Sequence, residues 1–470
     1  MEKPRFKVLI IGGSLAGLTL AHCLEHAGIA YTVLEKHSVA PELGASLGIM
    51  PNGGRILDQL GVYADIEATA APLQEVRFAF NDGYINLKHR YGYRFVFLER
   101  RRVIEALYAR LKHKSAVMTH KEVVRIEQTR DYARVITKDG LTYDGDLVVG
   151  ADGVHSIVRS EMWRAENKYP SVCIPLREQN QLVAYYSCTF GISSHVKGIN
   201  AGEVIWAGHD RRSVIAIPSQ DGGVFWFLIA KLAERCQYPN VPRYSHSDAI
   251  KVCQDHVHLT VGNGLTFGDI WEQRKSFSMT ALEEGIIQRW HAGRLVCIGD
   301  SVHKVTPELG QGANMAIEDA AALSNVLRDL LVKQGHRKPS VVEVDSAMEA
   351  FNRHRLPRAA SICRYGSFLC RLTNRDGIFM ALFSRYVVPY TTSLSSYLAR
   401  QIVAFADIVG YLDVPIRAGS DFHQPKSKRS WPPSLATLVA FTLVPFLVLS
   451  LGHCFRNQFL GQAGLLLGVD

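Results

Sequence analysis

The nine cysteines of this 470-residue chain include no Cys-x-x-Cys pair, and their intervals are wide and irregular. This pattern argues against a disulfide framework, against a zinc or other metal site, and against a redox-active dithiol. The N-terminus also lacks a signal-peptide pattern, because charged residues lead directly into an apolar segment. We therefore expect a reducing compartment, with the main body of the chain on the cytosolic side.

The chain also lacks the dense basic surface that is typical of nucleic-acid-binding proteins. Its net charge of +9 is modest for the length, and basic residues cluster only at 100–102 and 426–429, without interleaved aromatics. Nucleic acid is therefore not an expected partner. With 47% hydrophobic and 21% charged residues, the composition indicates a globular protein, and the length allows two or three domains.

One glycine-rich turn near the N-terminus organises the rest of the chain. An apolar run over residues 6–11 leads into Gly12, a helical pattern containing Gly17 follows, and a second apolar run ends at Glu35. This order predicts a βαβ dinucleotide-binding unit, in which the amides at the start of the helix bind a pyrophosphate. Ser14 replaces the middle glycine of the usual Gly-x-Gly-x-x-Gly pattern, so an ordinary strand–turn–helix is the alternative interpretation.

Glu35 suggests which nucleotide this unit binds. A carboxylate at the end of the second strand accepts hydrogen bonds from both ribose hydroxyls of an adenosine, and it repels a 2′-phosphate. The tightly held nucleotide is therefore predicted not to be NADP. The rest of the chain contains no second glycine fingerprint.

Motif order and composition divide the remainder of the chain. Residues 1–168 are predicted to form the first part of a nucleotide-binding domain, and residues 169–288, rich in strand-forming residues, a mostly antiparallel sheet that walls a substrate cavity. Residues 289–340 return to the nucleotide fold, with Gly299-Asp300 at a strand end. In the same part, the amides from Gly310 to Asn314 stand at a helix N-terminus suited to the pyrimidine edge of an isoalloxazine ring.

The last two parts are a helical region over residues 341–424 and a basic linker with a hydrophobic tail over 425–470. Within the tail, Leu435 to Gly452 are 18 residues without charge, which predicts a membrane-spanning segment. Pro445 interrupts it, so a buried or interfacial hairpin is the alternative. The basic cluster at 426–429 favours a cytosolic main body. Apolar residues between 378 and 408 are expected to pack on the globular body.

Three motifs in this order resemble the FAD-dependent aromatic-hydroxylase-like (group A) monooxygenases: Gly12 to Gly17 with Glu35, then Asp152-Gly153, then Gly299-Asp300 with Gly310 to Asn314. The resemblance covers roughly residues 5 to 370. It implies an α/β fold, with a Rossmann-like FAD-binding domain of the glutathione-reductase type and an inserted, mostly antiparallel substrate domain. FAD is the implied cofactor, and NADPH is the implied co-substrate.

The resemblance also implies roles for individual residues. Glu35 would bind the adenosine ribose, Asp300 the ribityl chain, and Asp152 with Gly153 would serve both FAD and NADPH. The implied cofactor-binding residues are Gly12, Gly13, Ser14, Gly17, Glu35, Gly48, Arg100, Asp152, Asp300, Gly310, Gly312 and Ala313. Arg100 as a surface helix residue and Asp152-Gly153 as a simple turn are the alternatives.

Three further segments narrow the resemblance to a subgroup of fungal secondary metabolism that acts in indole-diterpene and meroterpenoid pathways. These are residues 12–18, 49–53 and 97–100, and members of the subgroup commonly carry the serine found here at position 14. The implied reaction is epoxidation of a prenyl-chain alkene by O2, through a flavin C4a-hydroperoxide, before a membrane-bound terpene cyclase acts. The implied location is a membrane, that of the endoplasmic reticulum, with a cytosolic main body.

Two other functions stay open at this point. One is hydroxylation or dearomatisation of a phenolic or indolic ring, and the other is a non-catalytic, membrane-tethered flavoprotein scaffold. Tyr186 is the candidate catalytic residue because related enzymes often place an Arg, Lys or Tyr on the equivalent strand. Tyr185, His209 and His303 are weaker candidates, and a packed aromatic or a structural histidine is the alternative for each.

Overall fold

The computed structural model describes residues 6–42, 46–73, 75–80, 83–88, 95–165, 181–335, 337–388 and 402–417. The uncharged stretch predicted at 435–452 lies outside these residues, as does the basic linker before it. Within the described ranges, no helix combines the length and the apolar character needed to cross a membrane.

Helices and strands alternate in the first part of the chain, and long strands dominate the middle. The helices are α1 (Leu15–Ala27), α2 (Pro51–Gln59), α3 (Tyr63–Ala68), α4 (Arg100–Arg110), α5 (Ile157–Ala165), α6 (His246–Asp255), α7 (Phe267–Glu272), α8 (Gly312–Lys333), α9 (Val341–Thr373) and α10 (Ile378–Tyr386). Short 3-10 turns cover Lys114–Ala116, Gly299–Ser301 and Pro307–Leu309.

The strands lie in the first and middle parts of the chain and, for the last three, in the return to the nucleotide fold. They are β1 (Lys7–Ile11), β2 (Ala30–Leu34), β3 (Ser46–Ile49), β4 (Ala71–Pro72), β5 (Glu75–Phe80), β6 (Gly83–Lys88), β7 (Val96–Glu99), β8 (Val117–Met118), β9 (Val123–Gln128), β10 (Ala133–Thr137), β11 (Thr142–Gly145), β12 (Leu147–Gly150), β13 (Val183–Ser193), β14 (Glu203–His209), β15 (Arg212–Pro218), β16 (Val224–Gln237), β17 (Thr260–Gly262), β18 (Leu265–Thr266), β19 (Arg274–Ile286), β20 (His291–Ala292), β21 (Leu295–Cys297) and β22 (His303–Lys304).

The first sheet is the predicted nucleotide-binding sheet. Its strand order is β20-β21-β12-β1-β2-β8, and all neighbours are parallel except β20 and β21. Strand β1 reads Lys-Val-Leu-Ile-Ile, and its last four residues are buried, as a central strand covered on both faces requires. The predicted strand–helix–strand unit is therefore present, with β1 between β2 and β12.

Helix α1 follows the predicted glycine turn and ends at a glycine. It runs from Leu15 to Ala27, and Gly28 follows in the left-handed conformation with φ 69°, donating from its N–H to the carbonyls of Leu24 and Glu25. Glycine adopts this conformation without a Cβ penalty, so it ends the helix cleanly. The chain then turns directly into β2.

The second sheet has eight strands in the order β22-β19-β13-β16-β15-β14-β5-β6. Every neighbouring pair is antiparallel except β14 with β5, so the sheet is mostly antiparallel, as predicted. Strands β5 and β6 precede the 169–288 part of the chain and nevertheless complete the edge of this sheet. Strand β22 joins the opposite edge from the returning nucleotide fold.

The two faces of this second sheet have different partners. One face packs under α6 and α7 in a cluster that includes Trp226, Phe267 and Trp271. The other face forms a second cluster, in which Phe225 and Ile229 lie with Phe97 from β7 and with Cys370 near the end of α9. Because β7 leads straight into α4, this second cluster connects the substrate sheet to the nucleotide-binding part.

A buried ion-pair network holds α9 against α8. Glu318 and Asp319 on α8 and Arg355 on α9 have fully buried side chains, and Arg355 lies 2.9 Å from Glu318 and 2.8 Å from Asp319. Arg358 lies 2.7 Å from Glu318. Asp407 adds a further pair with Arg355 at 2.7 Å, which ties the segment after residue 402 to the same helix.

The region over 341–424 that is predicted to be helical is only partly so, with helices α9 and α10 in its first part. Residues 406–417 form no helix, and the Asp407 ion pairs hold this segment in place of helical packing. Helix α10 also departs from the expectation that this region packs on the body. Among its residues Ser384 alone is buried, whereas Ile378, Phe379, Leu382 and Tyr386 are exposed.

Candidate active site

The β1–α1 turn depends on two glycines. Gly12 has φ +105°, and a Cβ there would lie 2.4 Å from the Ala151 carbonyl oxygen at the end of β12. A Cβ at Gly17 would lie 1.9 Å from the Gly12 carbonyl oxygen. Real side chains do not fit at these distances, so both positions require glycine. The turn brings the N-terminus of α1 close to the carboxyl ends of β1 and β12, where open α/β sheets bind ligands.

Glu35 is fixed beside this turn. Its carboxylate accepts hydrogen bonds from the Gly13 amide at 2.6 Å and from the His37 amide at 2.9 Å, and its Cβ lies 3.0 Å from the position that a Cβ on Gly13 would take. Two backbone amides hold the carboxylate at the end of β2, the predicted ribose position.

Ser14 and Arg100 meet at the same place. The Arg100 guanidinium donates a hydrogen bond to the Ser14 hydroxyl at 2.6 Å. Burial lowers the pKa of Arg100, while the carboxylates of Asp300 and Glu35 raise it, so the cation lies within the electrostatic field of both acids. Four residues from four segments of the sequence therefore converge on the N-terminus of α1.

Asp300 follows β21 in a 3-10 turn, and its partner is Lys304, with which it forms an ion pair. Burial opposes its ionisation, but Lys304, His303 and Arg100 together hold the pKa of Asp300 below its usual value. An ionised carboxylate at this strand end is the acceptor that a ribityl hydroxyl needs. Lys304 was not singled out from the sequence, although its spacing of four residues from Asp300 was visible there.

The start of α8 is built around an asparagine side chain. Asn314 is fully buried, donates to the carbonyls of Gly48 at 3.0 Å and Gly310 at 2.7 Å, and accepts from the Met50 amide at 2.9 Å. It therefore ties the end of β3 to the α8 N-terminus. Gly310 has φ +63° with nothing within 4 Å of a Cβ position, so this loop presents open backbone.

Gly312 and Ala313 form the first turn of α8, and their position brings backbone amides and the positive end of the helix dipole to the same opening. A Cβ on Gly312 would touch only Val305 at 3.7 Å. The structure thus brings together four of the predicted cofactor-binding residues that lie in two distant parts of the sequence: Gly48, Gly310, Gly312 and Ala313.

Asp152 lies at the end of β12 and faces α5. One carboxylate oxygen accepts from the amides of Ile157 at 2.7 Å and Val158 at 3.3 Å, and burial raises the pKa of the group. The other oxygen is buried and has no hydrogen-bond partner among the described residues. Gly153 follows with φ +78° and open space at its Cβ position.

These residues fit FAD. Glu35 offers an acceptor at the predicted ribose position, and Arg100 with the α1 amides offers positive charge for a pyrophosphate. Asp300 offers an acceptor for the ribityl chain, and the open backbone at Gly310 leaves room for a flat ring beside the α8 amides. Among the described residues, no cluster of His, Cys, Asp and Glu suits a metal ion.

The candidate catalytic residue Tyr186 has a defined partner. Its ring is buried, and its hydroxyl donates to Asp376 at 2.6 Å, while Lys231 donates to both oxygens of the same carboxylate at 2.6 and 2.8 Å. Burial, together with Asp376, raises the pKa of Tyr186. This geometry joins strand β13 to the corner between α9 and α10, and a catalytic role for the hydroxyl stays a prediction.

The three weaker candidates lie apart from one another. Tyr185 packs under the Arg371 guanidinium, 4.9 Å from the ring centroid. His209 contacts the Thr260 carbonyl through Nε2 at 2.9 Å, and burial lowers its pKa. His303 contacts Asp319 through Nε2 at 2.6 Å and is fully buried in the ion-pair network.

We expect Tyr186→Phe to lower the free energy of unfolding by about 1–2 kcal/mol, because one hydrogen bond to a carboxylate is lost. A purely structural hydroxyl predicts that the kcat of the FAD-saturated protein changes by less than about twofold. Tyr185→Phe, which keeps the ring under Arg371, is the matched control. Urea denaturation measures the first quantity and steady-state kinetics measures the second. A kcat loss above about tenfold at full FAD occupancy would instead establish the catalytic role predicted from the sequence.

Comparison with known proteins gives one family and many relatives. Residues 5–364 match the family described as FAD binding domain. FAD-dependent monooxygenase atmM of Aspergillus flavus is 44% identical over 451 residues, which cover 94% of this chain and 94% of that protein. FAD-dependent monooxygenase andE of Emericella variicolor is 40% identical over 462 residues, covering 96% and 98%.

Solved structures share the fold at low identity. Klebsiella pneumoniae HpxO complexed with FAD and uric acid is similar with a TM-score of 0.66 and 20% identity, over 85% of this chain and 96% of that one. The tetracycline destructase Tet(51) is similar with a TM-score of 0.64 and 15% identity, over 87% of this chain and 100% of that one. At these identities the likeness concerns the fold alone.

Proposed function

The chain belongs to the FAD-dependent monooxygenases with an FAD binding domain, and from that premise we propose that it epoxidises an alkene in the prenyl chain of a small molecule. Fungal secondary metabolism of the indole-diterpene or meroterpenoid kind is the proposed setting, on the strength of the motif resemblance. The balanced reaction joins one oxygen atom of O2 to the alkene. The second oxygen atom leaves as water, formed with a hydride from NADPH, which becomes NADP+, and one proton from solvent.

The observation that carries this proposal is an aromatic and aliphatic cluster next to the cofactor residues, in which Phe97 and Phe225 are buried and Phe227 is partly buried. Phe97 precedes Arg100 by three residues in the sequence. Its ring centroid lies 5.4 Å from that of Phe225 and 6.1 Å from that of Phe227. Partly buried side chains on the same face include Phe95 and Phe190. An apolar cluster of this kind favours a substrate with a hydrocarbon chain over a substrate with a polar ring.

Bound FAD would supply the redox chemistry, which accepts electrons from NADPH and delivers oxygen to the substrate. The chain's own residues bind and orient. Arg100, Ser14 and Glu35 would hold the nucleotide half of the cofactor, and Asp300 with the α8 amides would hold the flavin half. The partly buried phenylalanines of this cluster would exclude water and position the alkene, which needs no protein nucleophile.

Ring hydroxylation is the second candidate, and one observation favours it. Arg371 lies over Tyr185 beside the same apolar cluster, and its side chain is 27% exposed. A cation there would stabilise a phenolate substrate. Glu284 already pairs with this arginine and compensates its charge, so epoxidation is the preferred function.

The epoxidase proposal predicts a specific product. NADPH oxidation should be stimulated by prenylated indoles or farnesylated phenolic acids, and the product should carry one oxygen atom from labelled O2 on the prenyl chain, with the aromatic ring unchanged. Mass spectrometry of the product locates the label, and the rate without substrate is the control. Stimulation by unprenylated phenols alone would move the function to ring hydroxylation. FAD binding without product from any of these substrates would favour the non-catalytic flavoprotein scaffold.

We also propose that the protein contacts a membrane, with its main body on the cytosolic face of the endoplasmic reticulum. There a membrane-bound terpene cyclase would consume the epoxide. Two features support this proposal: the uncharged stretch 435–452 and the exposed apolar face of α10, where Ile378 and Phe379 are 81% and 59% exposed. Arg385 on the same helix adds a cation suited to anionic lipid headgroups.

Membrane contact through α10 predicts that the full chain sediments with vesicles containing phosphatidylserine. Replacing Ile378, Phe379 and Leu382 together by Ser should reduce the bound fraction, because apolar area available to the lipid is removed. Val332→Ser with Val342→Ser, which removes exposed apolar side chains elsewhere, is the matched control. A parent chain that stays in the supernatant would contradict membrane contact. Undiminished binding by the triple variant would assign the contact to another segment.

A further inference from the structure

The serine that interrupts the glycine fingerprint has a specific partner. Ser14 is the N-cap residue of α1, yet its hydroxyl makes no capping hydrogen bond to the helix. Serine at an N-cap usually accepts from an amide of the first turn. Here the hydroxyl accepts from Arg100 at 2.6 Å instead. The α1 amides are therefore left free of a side-chain cap from Ser14, and a guanidinium stands at the end of the helix that attracts anions.

Arg100 reaches this place because β7 and α4 direct it there. It is the first residue of α4, immediately after β7, which pairs with β3 in the register Gly48 opposite Phe97. Its charge is opposed by Glu35 and Asp300, the two carboxylates at the ends of β2 and β21. A cation between two acids keeps them from repelling each other and from repelling an anionic ligand.

The geometry also shows how the chain compensates for having serine in place of glycine at position 14. A glycine at this position lets a pyrophosphate approach the backbone closely, and a Cβ prevents that approach. In this chain the hydroxyl holds a positive group at the same end of the helix. A charge-assisted contact from a side chain can replace a closer contact from the backbone, because guanidinium pairs with phosphate oxygens through two parallel hydrogen bonds.

We propose that Ser14 and Arg100 act as one unit that binds the FAD pyrophosphate, with the serine hydroxyl holding the guanidinium in its binding position. The inference rests on the assignment of this site to FAD. Ser14 is in this account a positioning residue for Arg100. It follows that restoring the glycine of the common fingerprint weakens cofactor binding, which is the reverse of what the fingerprint alone predicts.

The test is a double-mutant cycle on the Kd for FAD, measured by quenching of flavin fluorescence with the full chain. We expect Ser14→Gly and Ser14→Ala each to raise the Kd by about tenfold or more, as the loss of a hydrogen bond to a charged group implies. Arg100→Ala should raise it further. In the Arg100→Ala background, Ser14→Ala should change the Kd by less than about twofold, because the two residues work as a pair.

Arg101→Ala is the matched control. Arg101 is adjacent on α4, but it pairs with Glu42 and Glu105 at the surface, so the Kd should not change. If Ser14→Gly does not fold, Ser14→Ala decides. Unchanged or tighter FAD binding by the Ser14 variants would overturn the proposal, and so would additive effects in the cycle. A parent chain that binds FAD tightly but forms no epoxide would contradict the proposed function alone.

Discussion

The structure depends on two adjacent carboxylates buried in α8. Asp319 accepts from the Gly299 amide at 2.8 Å and from Arg355 at 2.9 Å, and Glu318 accepts from both Arg355 and Arg358. Two unpaired buried charges would cost several kcal/mol each, so the two arginines of α9 are required for α8 to pack here. Through Gly299, the same network fixes the turn that carries the ribityl-binding candidate Asp300.

This constraint explains how a site is assembled from segments that lie far apart in the chain. The ion pairs with α9 hold helix α8 in place, and at its N-terminus the Asn314 side chain binds the backbone of Gly48 and Met50. The loop at α8 is therefore set before any ligand arrives. Because the same end of the structure carries the α1 turn and Arg100, the contacts expected for one FAD molecule are organised in advance.

Sequence patterns predict those parts of the fold that depend on interactions between residues near each other in the chain. The β1–α1–β2 unit and the strand before Asp300 follow from hydrophobic periodicity and from glycine's backbone freedom, which act within a few residues. The partners of side chains were not predictable in this way. Tyr186 bonds Asp376 across 190 positions, and Asn314 bonds Gly48 across 266, so no spacing rule reports either contact. The sequence predicts a role for the backbone amide of Asn314, whereas its side chain makes the contacts to Gly48 and Met50.

The most direct test of the account is amide hydrogen exchange of the full chain with and without FAD. Slower exchange should appear together at residues 12–17, 48–50 and 310–314, because one ligand is held by all three segments. The ion-pair network predicts little change in the middle of α8, which is already packed in the absence of ligand. Protection confined to residues 12–17 would contradict a single preformed FAD site and reduce the claim to a nucleotide-binding turn.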